Sequence, residues 1–307
     1  MKALIASSYA PVDQLSVAEV PTPSPGPGEV LVKVVAAALN PLDAKLATGE
    51  LKEMFPVQHP FVLGMDAVGI VTAVGEAVSG FAVGDDVAVY GRGTLAEYAV
   101  VPVGPGLVHL PSGLDAVRGA ALITVAMTAE CVIAAAEVKP DHDVLVVGAT
   151  GGVGGLVVQL AAQEGARVFA TAAPADTDYA RDLGAHLTID HTGTDTVEEA
   201  LRLHHEGFDT VIDLVNAGAA LTATAPAVRR GGRLVSTLYG PEVIGDLTPV
   251  YVYMTPESGD LARQAARVAE GRLAVDVAAT YPFARSPQAV ADLVAGVYTR
   301  GKVVVTF

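Results

Sequence analysis

The chain has 307 residues, more than one ordinary domain needs and enough for two, and its 51% hydrophobic content can fill two cores. Charged residues at 17% fit a folded chain and argue against disorder. A formal net charge of −15 repels phosphate backbones and anionic membrane surfaces, so neither nucleic acid nor membrane is an expected partner.

In chain order, Met1-Lys2 opens a short strand-like run that ends at Ser7-Ser8, not the long apolar stretch of a secretory signal, and a cytoplasmic location is expected. The segment Pro21-Thr22-Pro23-Ser24-Pro25-Gly26-Pro27-Gly28 reads as a rigid turn between two strands. Strand patterns follow over 30–35, 67–74, 86–90 and 96–101, punctuated by Val74-Gly75 and Val83-Gly84-Asp85-Asp86. Asn40-Pro41 is a good pair for a helix start, with Asn as N-cap and Pro in the first turn. The run from Ala120 to Ala136 is the most apolar. Glu130 and two threonines interrupt it, and it reads as too short and too polar to span a bilayer. Cys131, the sole cysteine, lies in this run and reads as a core residue; one thiol can form neither an internal disulfide nor a cysteine-rich zinc site.

After about Gly119 apolar strands alternate with helical stretches: strand 144–147, helix 153–164, strand 167–171, helix 177–183, then strands 187–190, 210–214 and 234–237. Such alternation implies a parallel sheet covered on both faces. A helical run over 261–270 and two apolar strands, 274–278 and 302–307, close the chain, the last returning to the first domain. The expected domains are 1–118 completed by 257–307, and 119–256.

The segment Val144-Leu145-Val146-Val147-Gly148-Ala149-Thr150-Gly151-Gly152-Val153-Gly154 is a buried-type strand, a glycine-rich turn and a helix start. Residues without bulky side chains let backbone approach a pyrophosphate, and the helix N-terminus offers free amides and a positive dipole end. Ala149, Thr150, Gly151, Gly152, Val153 and Gly154 are therefore candidate cofactor contacts, and the position of the motif between strand and helix points to a dinucleotide. The second strand ends Thr171-Ala172-Ala173-Pro174, without the acid that would bind the 2′-hydroxyl of NADH. The reading leans to NADPH with NADH not excluded: no Arg or Lys follows at once, Arg181 and His191 are the nearest bases, and Asp176 and Asp178 would oppose a phosphate. Thr171, Ala172 and His191 complete this group of candidates.

These segments, with Pro25-Gly26-Pro27-Gly28-Glu29-Val30, Asn40-Pro41-Leu42-Asp43-Ala44-Lys45, Leu63-Gly64-Met65-Asp66-Ala67-Val68-Gly69, Val83-Gly84-Asp85-Asp86-Val87, Val158-Gln159-Leu160-Ala161 and Gly301-Lys302-Val303-Val304-Val305, together resemble the medium-chain dehydrogenase/reductase superfamily and its zinc-independent quinone oxidoreductase-like branch. The resemblance runs over nearly the whole length. It implies an α/β protein made of a GroES-like β-rich domain and a Rossmann-type doubly wound parallel-sheet domain, with nicotinamide in the cleft between them. It also implies a homodimer, and Val250-Tyr251-Val252-Tyr253-Met254 reads as an edge strand that could pair with its copy. Thr128 resembles the family's threonine facing the nicotinamide or pyrophosphate; a helix threonine bonded to its own carbonyl is the alternative.

Zinc-dependent members carry Cys early in the first domain and a Gly-His-Glu segment. This chain has Asn40-Pro41-Leu42-Asp43 and Gly64-Met65-Asp66, and its seven histidines are scattered, so no metal site is expected. His109 reads as a surface strand end and His204-His205 as a solvated helix end. Without a metal to polarise a carbonyl, hydride delivery to an electron-poor small molecule remains: a quinone or α,β-unsaturated carbonyl, or alternatively a 2-enoyl thioester. A non-catalytic NADPH-binding sensor or structural protein is a reading of another class. Asn40 and Asp43 are candidates for the cleft floor, with helix capping as the alternative. Lys45 stands where several quinone reductases have Tyr and could donate a proton, or be a solvated surface lysine. Asn216 and Tyr239, past the fourth and fifth strands, lie where ligands bind in open α/β sheets.

Overall fold

The computed structural model describes residues 1–255 and 260–307. The chain divides into two compact units, Met1–Thr124 with Asp260–Phe307, and Val125–Gly259. The expected break at 118/119 moves to a point within one helix, and the expected boundary at 256/257 lies outside the described residues.

The first unit opens with β1 (Lys2–Ala6), β2 (Ser16–Glu19), β3 (Glu29–Ala38), α1 (Pro41–Thr48), β4 (Phe61–Val62), β5 (Asp66–Val74), β6 (Asp86–Tyr90), β7 (Tyr98–Pro102) and β8 (Leu107–His109). α2 (Ala116–Ala136) follows and crosses the break. The second unit adds β9 (Asp143–Val147), α3 (Gly152–Gln163), β10 (Arg167–Thr171), α4 (Thr177–Asp182), β11 (Leu187–Ile189), α5 (Thr196–Leu203), β12 (Phe208–Asp213), β13 (Val228–Ser236) and β14 (Val250–Tyr251). α6 (Leu261–Ala269), β15 (Val277–Pro282), α7 (Ser286–Val294) and β16 (Lys302–Thr306) return to the first unit.

In the first unit, β3 is the axis. Along one edge it pairs with β5; along the other its first half takes β7 and its last residues take β16. Val30, Val32 and Val34 alternate inward from β3 onto Val71, Val87, Val89 and Val303, the period-two pattern that half-buried strands require. The consequence for function is that β16, the end of the chain, is laid antiparallel against Ala36–Ala38, just before α1. A small separate sheet, in the order β2-β1-β4, carries the N-terminus.

The second unit is a six-stranded, wholly parallel sheet in the order β11-β10-β9-β12-β13-β14. Chain order reverses between β9 and β12, so the loops after β9, β10 and β12 gather at one edge, the place where open α/β sheets bind ligands. All five residues of β9 are buried, as a strand covered on both faces must be.

Three expectations are corrected. The apolar run forms a 21-residue helix that begins at Ala116, long and apolar enough to cross a membrane by length and composition. Its most apolar window is 61% buried inside the protein, so much of that surface is spent on packing. The strand expected over 274–278 is β15 at Val277–Pro282; the apolar run begins three residues early, and parallel pairing with β16 decides the position. Cys131 is half-buried, not a core residue. α5 was legible only at its His204-His205 end, and α7 went unrecognised in the sequence.

Candidate active site and cofactor turn

A buried polar cluster forms in the first unit where β3 enters α1. Asn40 is the N-cap of α1, Pro41 sits in the first turn, and Gly49 ends the helix in the left-handed region at φ 79°. The two form a capping box, in which the Asp43 carboxyl accepts the Asn40 backbone N–H at 2.8 Å. The Asn40 side chain has two further partners. Its Nδ2 donates to Asp66 Oδ2 at 2.9 Å, and its Oδ1 accepts from Lys302 Nζ at 2.6 Å. Lys302 also donates to the Leu39 carbonyl at 2.5 Å. Thr124, on α2, donates through Oγ1 to Asp66 Oδ1 at 2.5 Å.

Asn40, Asp43, Asp66 and Lys302 are all buried. Two carboxyls facing one ammonium away from water cannot both ionise cheaply. Burial, reinforced by Asp66, pushes the Asp43 carboxyl up to about 7, against the hydrogen bond from Asn40 and the charge of Lys302. Burial also raises Asp66 and lowers Lys302.

Sequence reasoning identified Asn40 and Asp43 but not Asp66, Thr124 or Lys302. A lone lysine opens the apolar strand Lys302–Thr306 and an acid opens Asp66–Val74, which marks both as unusual but does not say what they touch. Lys45 does not join the cluster. Two positions beyond Asp43 on α1, it faces another side of the helix, where it pairs with Glu50 at 3.1 Å.

In the second unit, the glycine-rich turn is built as the motif requires. Gly148 has φ 85°, and a Cβ there would lie 2.6 Å from Val215 Cγ2. A Cβ on Gly154 would come within 2.0 Å of the Gly148 carbonyl oxygen, so the helix packs onto the turn through a glycine. Thr171 Oγ1 accepts the Gly148 N–H at 2.9 Å, which ties the end of β10 to the turn. Ala149, Thr150, Gly154, Thr171 and Ala172 are buried, while Gly151, Gly152 and Val153 are half-buried at the start of α3. The amides of this first helical turn have no intrahelical acceptor by geometry, which suits them to a diphosphate.

Asn216 is fastened beside β12: its N–H and Nδ2 donate to the buried Asp213 at 2.9 and 2.8 Å. Asp213 also accepts from Thr224 Oγ1 at 2.9 Å and so fixes the loop; sequence reasoning missed it. Tyr239 is exposed and packs its ring 5.2 Å from that of Tyr253. Thr128 is half-buried one turn beyond Thr124, and His191 is exposed after β11. His109 is a strand end, stacked on Phe81. His204 is not simply solvated: its Nε2 lies 2.5 Å from Asp143 Oδ2, and its ring packs near Phe169 and Phe208.

The family model described as alcohol dehydrogenase GroES-like domain matches residues 26–112, and that described as zinc-binding dehydrogenase matches residues 152–246. An NADPH-dependent alkenal/one oxidoreductase of Arabidopsis thaliana is 32% identical in an alignment spanning 99% of this chain and 79% of that protein. The chain belongs to the medium-chain dehydrogenase/reductase superfamily. Among solved structures, this dehydrogenase/reductase resembles an NAD-dependent alcohol dehydrogenase (TM-score 0.87, 30% identity, all of both chains). It also resembles a quinone oxidoreductase from Coxiella burnetii (TM-score 0.85, 27% identity, 100% of this chain and 99% of that one). The GroES-like and Rossmann-type architecture expected from the sequence is the one observed.

Zinc does not fit the donor set of this superfamily member. The Gly-His-Glu position offers Met65 and Asp66, Asn40 stands near the first-ligand position, and the Asn40 oxygen already faces the Lys302 ammonium, which repels a divalent ion. Among the described residues no group of three His, Cys, Asp or Glu side chains could hold a metal ion.

Proposed function

We propose that this oxidoreductase uses NADPH and acts without zinc, with the amides of the first turn of α3, from Gly152 to Gly154, holding the diphosphate and Asn40 meeting the carbonyl oxygen of the acceptor. The chain is an oxidoreductase that transfers hydride to a quinone or α,β-unsaturated carbonyl. When bound, the nicotinamide supplies the hydride. The protein's task is to orient the acceptor and to stabilise the charge that grows on its oxygen.

The observation that carries the reading is that one chain holds a complete glycine cradle in its second unit and a buried, metal-incompatible amide and ammonium cluster in its first. An enal, enone or quinone accepts hydride without Lewis-acid help, whereas simple alcohol oxidation in this superfamily relies on zinc. NADPH is supported by the absence of an acid after β10, where Ala172 and Ala173 stand, and by the cofactor named for the Arabidopsis relative.

Purified protein is to be titrated with NADPH and NADH by fluorescence, then assayed with quinones, enals, enones and enoyl thioesters. Turnover confined to enoyl thioesters selects the alternative acceptor. Binding without turnover selects a sensor or structural role. Metal analysis that finds one tightly held zinc per chain would sink the zinc-free reading.

We further propose a cytoplasmic homodimer that uses neither nucleic acid nor membrane. β14 ends the sheet order with one edge unpaired among the described residues, and Tyr253 beside it is exposed. Sedimentation that gives a single-chain mass would reject the dimer.

A further inference from the structure

Asn40 is gripped from both ends by groups that can each play only one role. Lys302 Nζ is a donor, 2.6 Å from Asn40 Oδ1; Asp66, when ionised, is an acceptor, 2.9 Å from Asn40 Nδ2. Rotating the amide by half a turn would set Nδ2 against Nζ and Oδ1 against the carboxylate, two repulsive contacts in a site sealed from water. Only one orientation survives. Each gripping group is itself held: Lys302 by the Leu39 carbonyl and Asp66 by the Thr124 hydroxyl.

Stability does not account for this arrangement. Buried charges such as Lys302 and Asp66, here joined through an amide, cost desolvation, and apolar residues of the same volume commonly match or better them. The arrangement does fix one polar group within a small angle, the property a reaction needs at an oxygen that gains charge.

We infer that Asp66 and Lys302 are positioning residues for the reaction, acting through Asn40: they lock its carboxamide so that the amide N–H not spent on Asp66 is the donor offered to the acceptor's carbonyl oxygen. The inference rests on the reading that Asn40 meets that oxygen. Donation from Lys302 to Oδ1 polarises the amide and strengthens the remaining N–H as a donor. The donor is in place before hydride arrives, so its contribution falls on the transition state more than on substrate binding. Asp66→Asn removes one end of the lock without changing shape, because a carboxamide can pair with Asn40 in either orientation, and leaves Lys302 alone to select it. Lys302→Met breaks it from the other end.

The test uses the full-length protein with selectively ¹⁵N-labelled asparagine, together with steady-state kinetics on a reactive enone. In the wild type, the Asn40 side-chain amide gives a pair of signals slow to exchange with water. In D66N and K302M that protection is expected to fall and kcat to drop about 10- to 100-fold, while KM and NADPH affinity stay within about threefold. A folded D66N with unchanged kcat and unchanged amide protection overturns the inference. So does a kcat loss matched by an equal loss of NADPH affinity, which would mark a structural role. If K302M does not fold, D66N decides. Asn40→Ala separates the two levels: full activity of N40A sinks the reading of Asn40 itself, whereas an impaired N40A beside fully active D66N and K302M sinks only the positioning role.

Discussion

Asn40 and Lys302 stand 262 positions apart in the chain and 2.6 Å apart in the fold. The contact exists because β16 pairs with the end of β3, placing the last strand beside the residue that starts α1. The electrostatics of the first unit follow from it, since Lys302 is the cation that faces Asp43 and Asp66.

Asp43 makes the stability of the protein depend on pH. Its carboxyl is raised from 3.8 to about 7, so the folded chain holds that proton more tightly than the unfolded chain. Between those values the native state binds more protons, and the contribution of Asp43 to stability falls as pH rises. The full difference is on the order of 4 kcal/mol. Asp43→Asn cannot ionise. The stability of wild type relative to D43N is therefore expected to decline from about pH 4 to about pH 7 in urea melts, and a flat difference would show that Asp43 is not the group that titrates.

Gly154 has no room for a methyl group. A Cβ there lies 2.0 Å from the Gly148 carbonyl oxygen, and backbone must move to admit it. Gly154→Ala should weaken NADPH binding at least tenfold in a fluorescence titration and cost about 1–3 kcal/mol of stability in the second unit. Unchanged affinity would mean that the diphosphate does not use this turn.

Ala173, half-buried just after β10, is the position for a change of cofactor preference. Ala173→Asp brings a carboxylate to the end of the second Rossmann strand, where it bonds a ribose 2′-hydroxyl and repels a 2′-phosphate. The ratio of NADPH to NADH affinity is expected to fall by about tenfold or more, read from paired titrations.

Lys45 is expected to matter little. It is part-exposed and paired with Glu50, an arrangement worth no more than about 1 kcal/mol. Lys45→Ala should keep kcat within about threefold across pH 6 to 9. A large loss at high pH would restore it as a proton donor.

The two-domain plan, most strands of the two larger sheets and the glycine turn were legible in the sequence because each rests on local chemistry: period-two burial in β3, the apolar run Val144–Val147 of β9, and glycines at 148 and 154 that close approach demands. Asn40 and Asp43 were legible because a cap needs those residue types at that spacing. Lys302 and Thr124 were not, because nothing local says what an isolated lysine or helix threonine will touch. α7 was missed for a related reason: the pattern of Ser286–Val294 is short, and packing against β15 and β16 completes it.

The sequence by itself determined the fold class, the cofactor turn and the absence of soft metal ligands at the positions where zinc-dependent relatives hold the ion. Only the tertiary structure decided that a lysine from the last strand, an aspartate from β5 and a threonine from α2 would converge on one asparagine. Local propensity fixes a residue's backbone within a few neighbours. Which charges share a dry pocket is set by strand pairing across the whole chain, and burial there turns ordinary side chains into coupled ones.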